Sequence, residues 1–218
     1  MKNSICPTFK TELIPILSVV ISIVLSFYFY AHFPERVATH WNIQGQIDGW
    51  SSRGFAAFFF PALNLAIYLL MLFLPLADPK KKNYQDFRLA YHWIKGALVV
   101  FMFLIYLAVG LSALGYSVAI NTVVPLGIGA LFVIIGLSIR NIKQNWFMGI
   151  RTPWTISSET VWAKTHRFGG WAFVAAGLLF MLTGLLSQFL WPLIVLIFLI
   201  ILSTVLYSYL VYRQESKG

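Results

Sequence analysis

Long apolar runs separated by short polar stretches dominate this chain. A bilayer core takes roughly 20 apolar residues per helix. Six runs reach or approach that length, at about Leu13–Phe33, Phe55–Leu76, Ile94–Leu114, Thr122–Ile139, Phe168–Ser187 and Trp191–Val211. No aspartate, glutamate, lysine or arginine lies in the interior of any run, with Lys95 counted to the loop before the third. The pattern predicts an all-α fold: a polytopic membrane helical bundle with six transmembrane helices. It divides into three hairpins: 1–76 with loop 34–54, 77–139 preceded by a basic loop, and 140–218 with a long polar loop 140–167. The first run is too long for a signal peptide, and no A-x-A-like site follows it, so it reads as a retained signal anchor. The single cysteine, Cys6, precedes that run, unlike a lipoprotein cysteine, and one cysteine forms no internal disulfide.

Composition narrows the class. Of 218 residues, 59% are hydrophobic and 11% charged, whereas soluble domains carry about a quarter charged residues. That excludes a soluble globular domain, a disordered tail and a disulfide scaffold. The net charge of +9 would suggest nucleic acid in a soluble protein. Here its placement decides otherwise. Of the sixteen basic residues, Arg36 and Arg53 lie in loop 1; the other fourteen lie in the two tails, in loop 2 (Lys80, Lys81, Lys82, Arg88, Lys95) and in loop 4 (Arg140, Lys143, Arg151, Lys164, Arg167). By the positive-inside rule, both termini and loops 2 and 4 are expected in the cytoplasm and loop 1 outside. The bilayer then accounts for the charge, and no direct nucleic-acid partner is expected. All eight tryptophans fall in loops or near span ends, where indole prefers the headgroup layer.

Within the spans the informative residues concern packing. Asn64 is read as an interhelical hydrogen-bonding group. Gly170, Gly177 and Gly184 recur every seven residues and predict a face that a neighbouring helix approaches closely. Coupled transporters and voltage sensors use intramembrane charges, so their absence weighs against transport.

Three loops hold the remaining chemistry. Loop 1, HFPERVATHWNIQGQIDGWSSRG, is broken by Pro34 and carries turn glycines. It predicts a small folded external cap, with Trp41 and Trp50 at the interface. His32, Glu35, His40 and Asp48 are metal-ligand types at irregular spacing, so no metal site is assigned. Loop 2, DPKKKNYQDFRLAYHWIKG, opens with a turn at Asp78-Pro79. Its lysines anchor on anionic lipid, and 83–95 is a candidate amphipathic helix entering span three. Loop 4 is RNIKQNWFMGIRTPWTISSETVWAKTHRFGG. Pro153 disfavours helix at Thr152, which predicts an extended or turned Arg151-Thr-Pro-Trp. Ser157 or Ser158 is a helix N-cap candidate, with Glu159 in the first turn. An interfacial helix is expected to run into span five, with Glu159, Trp162 and His166 on one face. That face either meets a partner or fixes the loop by pairing among Arg151, Glu159 and His166. His92-x-x-x-Gly96 is weakly echoed by His166-x-x-x-Gly170.

No H-E-x-x-H, G-x-S-x-G, P-loop or C-x-x-C signature occurs, so no catalytic residue and no cofactor is assigned.

Loop 4 resembles the signature of the SdpI family of bacterial membrane immunity proteins. The resemblance is carried by Asn145, Gly149, Arg151, Thr152, Pro153, Trp154, Trp162, Thr165, His166, Gly169 and Gly170. Loop 1 is similar to an N-terminal domain of unknown function found in that family, through Pro34, His40, Trp41, Asn42, Gly45, Asp48 and Gly49. With the spans, these cover nearly the whole chain. The family's type member protects its producer from a secreted, membrane-active antimicrobial peptide and holds a transcriptional repressor at the membrane. Beside the lipid bilayer that the spans require, the resemblance therefore implies two partners: a secreted toxin peptide met outside or within the bilayer, and a cytoplasmic repressor docking at loop 4. A non-enzymatic immunity or toxin-sensing protein ranks first. A small-molecule or ion transporter ranks second, and a membrane enzyme using the loop 4 polar cluster third.

Overall fold

The computed structural model describes residues 5, 7–42, 44–186 and 190–217. Cys6 and Ser187, the expected end of the fifth run, lie outside them. Six helices are long and apolar enough to cross a membrane: α1 (Phe9–His32), α2 (Arg53–Ala77), α3 (Arg88–Ala113), α4 (Ile120–Ile139), α6 (Glu159–Leu185) and α7 (Leu190–Glu215). A short α5 (Pro153–Ser157) precedes α6, and a 3₁₀ helix spans Lys81–Gln85 before α3. Loop 1 is an antiparallel hairpin of β1 (Arg36–Trp41) and β2 (Ile47–Ser52). The bundle thus has a hairpin end and a basic end, the latter formed by loops 2 and 4.

Helix starts differ from the hydropathy edges, and at α1 a side-chain cap sets the start. Thr8 and Thr11 form a reciprocal capping box that opens α1 at Phe9 rather than Leu13. α3 starts at Arg88 rather than Ile94. Two charged residues expected outside the spans, Glu12 and Lys95, consequently lie within helices and are buried.

α1, α2 and α3 pack on one another, α3 contacts α4, α4 packs most extensively on α6, and α6 carries α7. The α4–α6 seam is set by glycine. A Cβ on Gly170 would lie 2.6 Å from the Gly136 carbonyl oxygen, and one on Gly177 at 2.6 Å from that of Gly129. The backbones touch, as the seven-residue spacing predicts. On α1 the small-residue face is Ser18, Ser22 and Ser26, all buried, each hydroxyl donating to a carbonyl of its own helix. Asn64 Nδ2 donates to the Val99 carbonyl across α2 and α3 at 3.2 Å, the expected interhelical bond.

Two aromatic clusters close the ends. Tyr84, Phe87, Tyr91 and Trp162 fill the basic end, and Phe29, Phe33, Val37 and Tyr106 the hairpin end. Trp162 is therefore no member of the interfacial belt. It is 1% exposed, because α6 starts at Glu159 and carries the indole inward.

Candidate functional site

At the basic end, loops 2 and 4 are tied into one plate. Asp78 is the centre of the tie. Its Oδ2 accepts from the Tyr84 hydroxyl and from the Trp146 N–H, both at 2.9 Å, and its Oδ1 accepts from the Lys80 N–H at 2.7 Å. Burial, and then the Asp78 carboxylate, push the Tyr84 phenol well above its ordinary range, so it stays a donor. Asn145 Oδ1 accepts from the N–H groups of Phe147 (2.9 Å) and Met148 (2.7 Å), while its Nδ2 donates to the Lys143 and Met148 carbonyls. Gln144 Nε2 donates to the Thr155 and Ile156 carbonyls, its Oε1 accepts from Lys80 Nζ, and its own carbonyl accepts from Asn83 Nδ2 at 2.7 Å.

The signature residues of loop 4 continue this plate. Thr152 is extended, as the following proline requires, but Pro153 then opens α5 at its first position instead of prolonging the turn. Ser158 caps α6 through Val161 N–H, as expected, and its hydroxyl donates to Glu215 at 2.7 Å, joining the start of α6 to the end of α7. Trp162 Nε1 donates to the Ile142 carbonyl at 2.7 Å, and its ring stacks on His166 at 4.1 Å. His166 Nε2 accepts the Ile150 N–H at 2.9 Å, and its Nδ1 faces the Trp162 carbonyl at 2.9 Å. A carbonyl only accepts and an amide N–H only donates, so the ring is the neutral Nδ1–H tautomer. Gly149 sits at φ +112°, and any side chain there would strike His166 Nε2.

The expected pairing of Arg151, Glu159 and His166 is not formed. Both nitrogens of His166 are occupied by backbone groups, one of loop 4 and one of α6 itself, Glu159 is exposed, and exposed Arg151 donates to the Trp146 carbonyl. The polar cluster proposed for catalysis therefore does not converge. Asn145, Thr152, Trp162 and His166 are buried and hold the loop; Gly170 lies in the α4–α6 seam. Half-buried Trp154 packs on Tyr209, leaving Arg151, Glu159 and Pro153 on the outer surface.

A second cluster went unrecognised in the sequence. Lys95 Nζ, 1% exposed, donates to both carboxylate oxygens of Glu12 at 2.6 and 2.8 Å. Tyr68 and Thr11 hydroxyls complete that carboxylate at 2.9 and 3.1 Å, and His92 Nδ1 lies 3.5 Å away. The charge-free description of the spans thus holds for their centres and fails where α1, α2 and α3 meet near the basic end. The usable signals were Thr8-x-x-Thr11, which starts the helix before Glu12, and the i, i+3 spacing of His92 and Lys95.

At the hairpin end a cavity of about 720 Å³ lies between β1, the turn after it and the ends of α2, α3, α4, α6 and α7. The hairpin is held by His40 Nδ1 against Asp48 Oδ1 at 2.5 Å, and by Asn42 Oδ1 accepting from the Gln44 and Gln46 N–H groups. His40, Trp41, Asn42 and Gly45 line the cavity; Asp48 and Trp50 do not, and Trp50 is half exposed. Among the described residues no three His, Cys, Asp or Glu side chains gather to hold a metal.

The model of the SdpI/YfhL protein family matches residues 141–208, and that of a domain of unknown function (DUF1648) matches residues 17–65. Immunity protein SdpI of Bacillus subtilis (strain 168) is 27% identical over 207 residues, which cover 94% of this chain and 97% of that protein. Residues 141–208 thus match the SdpI/YfhL family, and the chain is similar to that immunity protein over nearly its whole length. It is a multi-pass membrane protein with six helices of spanning length. The first match takes in the loop 4 plate, α6 and most of α7; the second takes in most of α1, the whole hairpin and the first half of α2. Glu12 and Lys95 lie outside both. No solved structure matches the chain.

Proposed function

We propose that this chain is an immunity and toxin-sensing protein of the bacterial cell membrane, protecting the cell from a secreted, membrane-active antimicrobial peptide. The observation that carries the reading is the nearly full-length correspondence to Immunity protein SdpI, with both signature loops folded as ordered caps. The sidedness of the basic residues supports cytoplasmic termini, an external hairpin and a cytoplasmic plate of loops 2 and 4. The peptide is met on the hairpin side. On the other side, Arg151, Glu159 and the exposed rings of Trp146 and Phe147 form the surface for a soluble repressor. The one observation favouring transport is the buried Glu12, Lys95 and His92 cluster. Lys95, Tyr68 and Thr11 saturate that carboxylate, which makes the cluster a tie between helices.

Deleting the gene should sensitise the cell to a secreted peptide of neighbouring bacteria, and restoring it should reverse the effect. A deletion strain with unchanged sensitivity to every such peptide rejects the reading. Orientation is tested in a Cys6→Ser background. Asp48→Cys should react with a membrane-impermeant maleimide in intact cells, and Lys81→Cys only after permeabilisation; the opposite pattern inverts the topology.

A further inference from the structure

We propose that the cavity under the hairpin binds a short, uncharged and largely apolar segment of a peptide, hydrogen-bonded along the free edge of β1. This rests on the immunity reading and specifies what the site takes. Three observations converge on it.

The first is charge. Among the described residues that line the cavity there is no aspartate, glutamate, lysine or arginine. Its one ionisable side chain, His40, is already engaged by Asp48. A phosphate headgroup or a charged side chain entering here would lose water and find no counter-ion. The floor is apolar, built by Ile105, Val109, Val124 and Phe180, and the rim carries the neutral amides of Gln44 and Asn121. Amides both donate and accept, which suits a peptide backbone.

The second is the strand. Thr39, His40, Trp41 and Asn42 all line the cavity, and no residue of β2 does. Successive strand residues point to opposite faces, so a cavity bordered by a consecutive run meets the strand along its edge. The other edge of β1 is paired to β2. That pairing loses register between Ala38 and His40 and again between His40 and Trp41. Such breaks bend and twist the strand locally, and the backbone groups of its unpaired edge are what an added strand from a ligand would bond.

The third is size. A helix with its side chains is about 10–12 Å across and rises about 1.5 Å per residue, so the space holds roughly four to six residues. A terminus or turn of a peptide fits, and a membrane-spanning helix does not.

The test uses the full chain in phosphatidylcholine nanodiscs. The probe is an acetyl- and amide-blocked pentapeptide of leucine, valine and alanine bearing one 4-bromophenylalanine. Trp41 and Trp191 line the cavity and report occupancy through quenching by bromine. Quenching should saturate, weaken at least tenfold in Val124→Phe and in Ile105→Phe, weaken at least tenfold when the central residue is lysine, and vanish in Trp41→Phe/Trp191→Phe. Equal quenching by the lysine peptide, absence of saturation, or quenching by brominated phosphatidylcholine alone would each overturn the proposal, the last by making the site a lipid pocket. Cell assays separate this from the parent reading. If the wild-type gene protects and Val124→Phe, inserted at equal level, protects equally well, the cavity assignment fails alone. If the wild-type gene gives no protection, the immunity reading fails and the quenching result still decides the cavity.

Discussion

Removing Lys95 tests whether the Glu12–Lys95 contact is a true buried ion pair. Glu12 is 6% exposed and Lys95 1%, with two short bonds between them. In Lys95→Met the stem volume is kept and the charge removed, which leaves a carboxylate with only the Tyr68 and Thr11 hydroxyls as donors. Breaking a buried pair from one side costs about 3–5 kcal/mol, whereas neutral replacement of both partners is often close to neutral. Glu12→Gln keeps an acceptor for the ammonium and should cost less, about 2 kcal/mol. The double variant should lose no more than about 1 kcal/mol, so the two changes couple by several kcal/mol where independent sites add within about 0.5 kcal/mol. The assay is reversible unfolding in mixed micelles by titration with a denaturing detergent, followed by tryptophan emission. Additive single costs, or a Lys95→Met cost below about 1 kcal/mol, would refute the pair as a structural tie.

Other expectations follow from the same geometry. Trp162→Ala should cost about 3–5 kcal/mol by emptying the core beneath loop 4, while Arg151→Ala, which is exposed, should change stability by less than about 1 kcal/mol; equal losses in the same detergent titration would contradict their placement. Gly177→Ala should cost about 1–3 kcal/mol by pushing α6 away from the Gly129 carbonyl, and an unchanged midpoint would mean the seam is looser than described. Asp78→Asn loses half of its acceptor capacity, so limited proteolysis should cut loop 4 faster between 143 and 151. Unaltered cleavage would show that Asp78 does not hold the loops together.

Much of this was legible in the chain. Six spans, the cap at Ser158, the glycine seam and the role of Asn64 follow from periodicity and residue chemistry, because each leaves its mark within one continuous segment of the chain. What escaped was long-range. Glu12 and Lys95 each look like ordinary flanking charges until their helices are placed side by side. Trp162 looks interfacial until the capped start of α6 turns it inward. Asp78 reads as a turn former, and its bond to Trp146 N–H spans two loops that no local pattern connects. The cavity is assembled from the hairpin and five helices, so it has no sequence signature of its own.

The ion pair also orders the making of the protein. Glu12 is synthesised 83 residues before Lys95, an interval of roughly 4–17 s at ordinary elongation rates. The carboxylate and its counter-cation are thus supplied by helices made at different times, and the tie between α1 and α3 closes only once the third helix is in place.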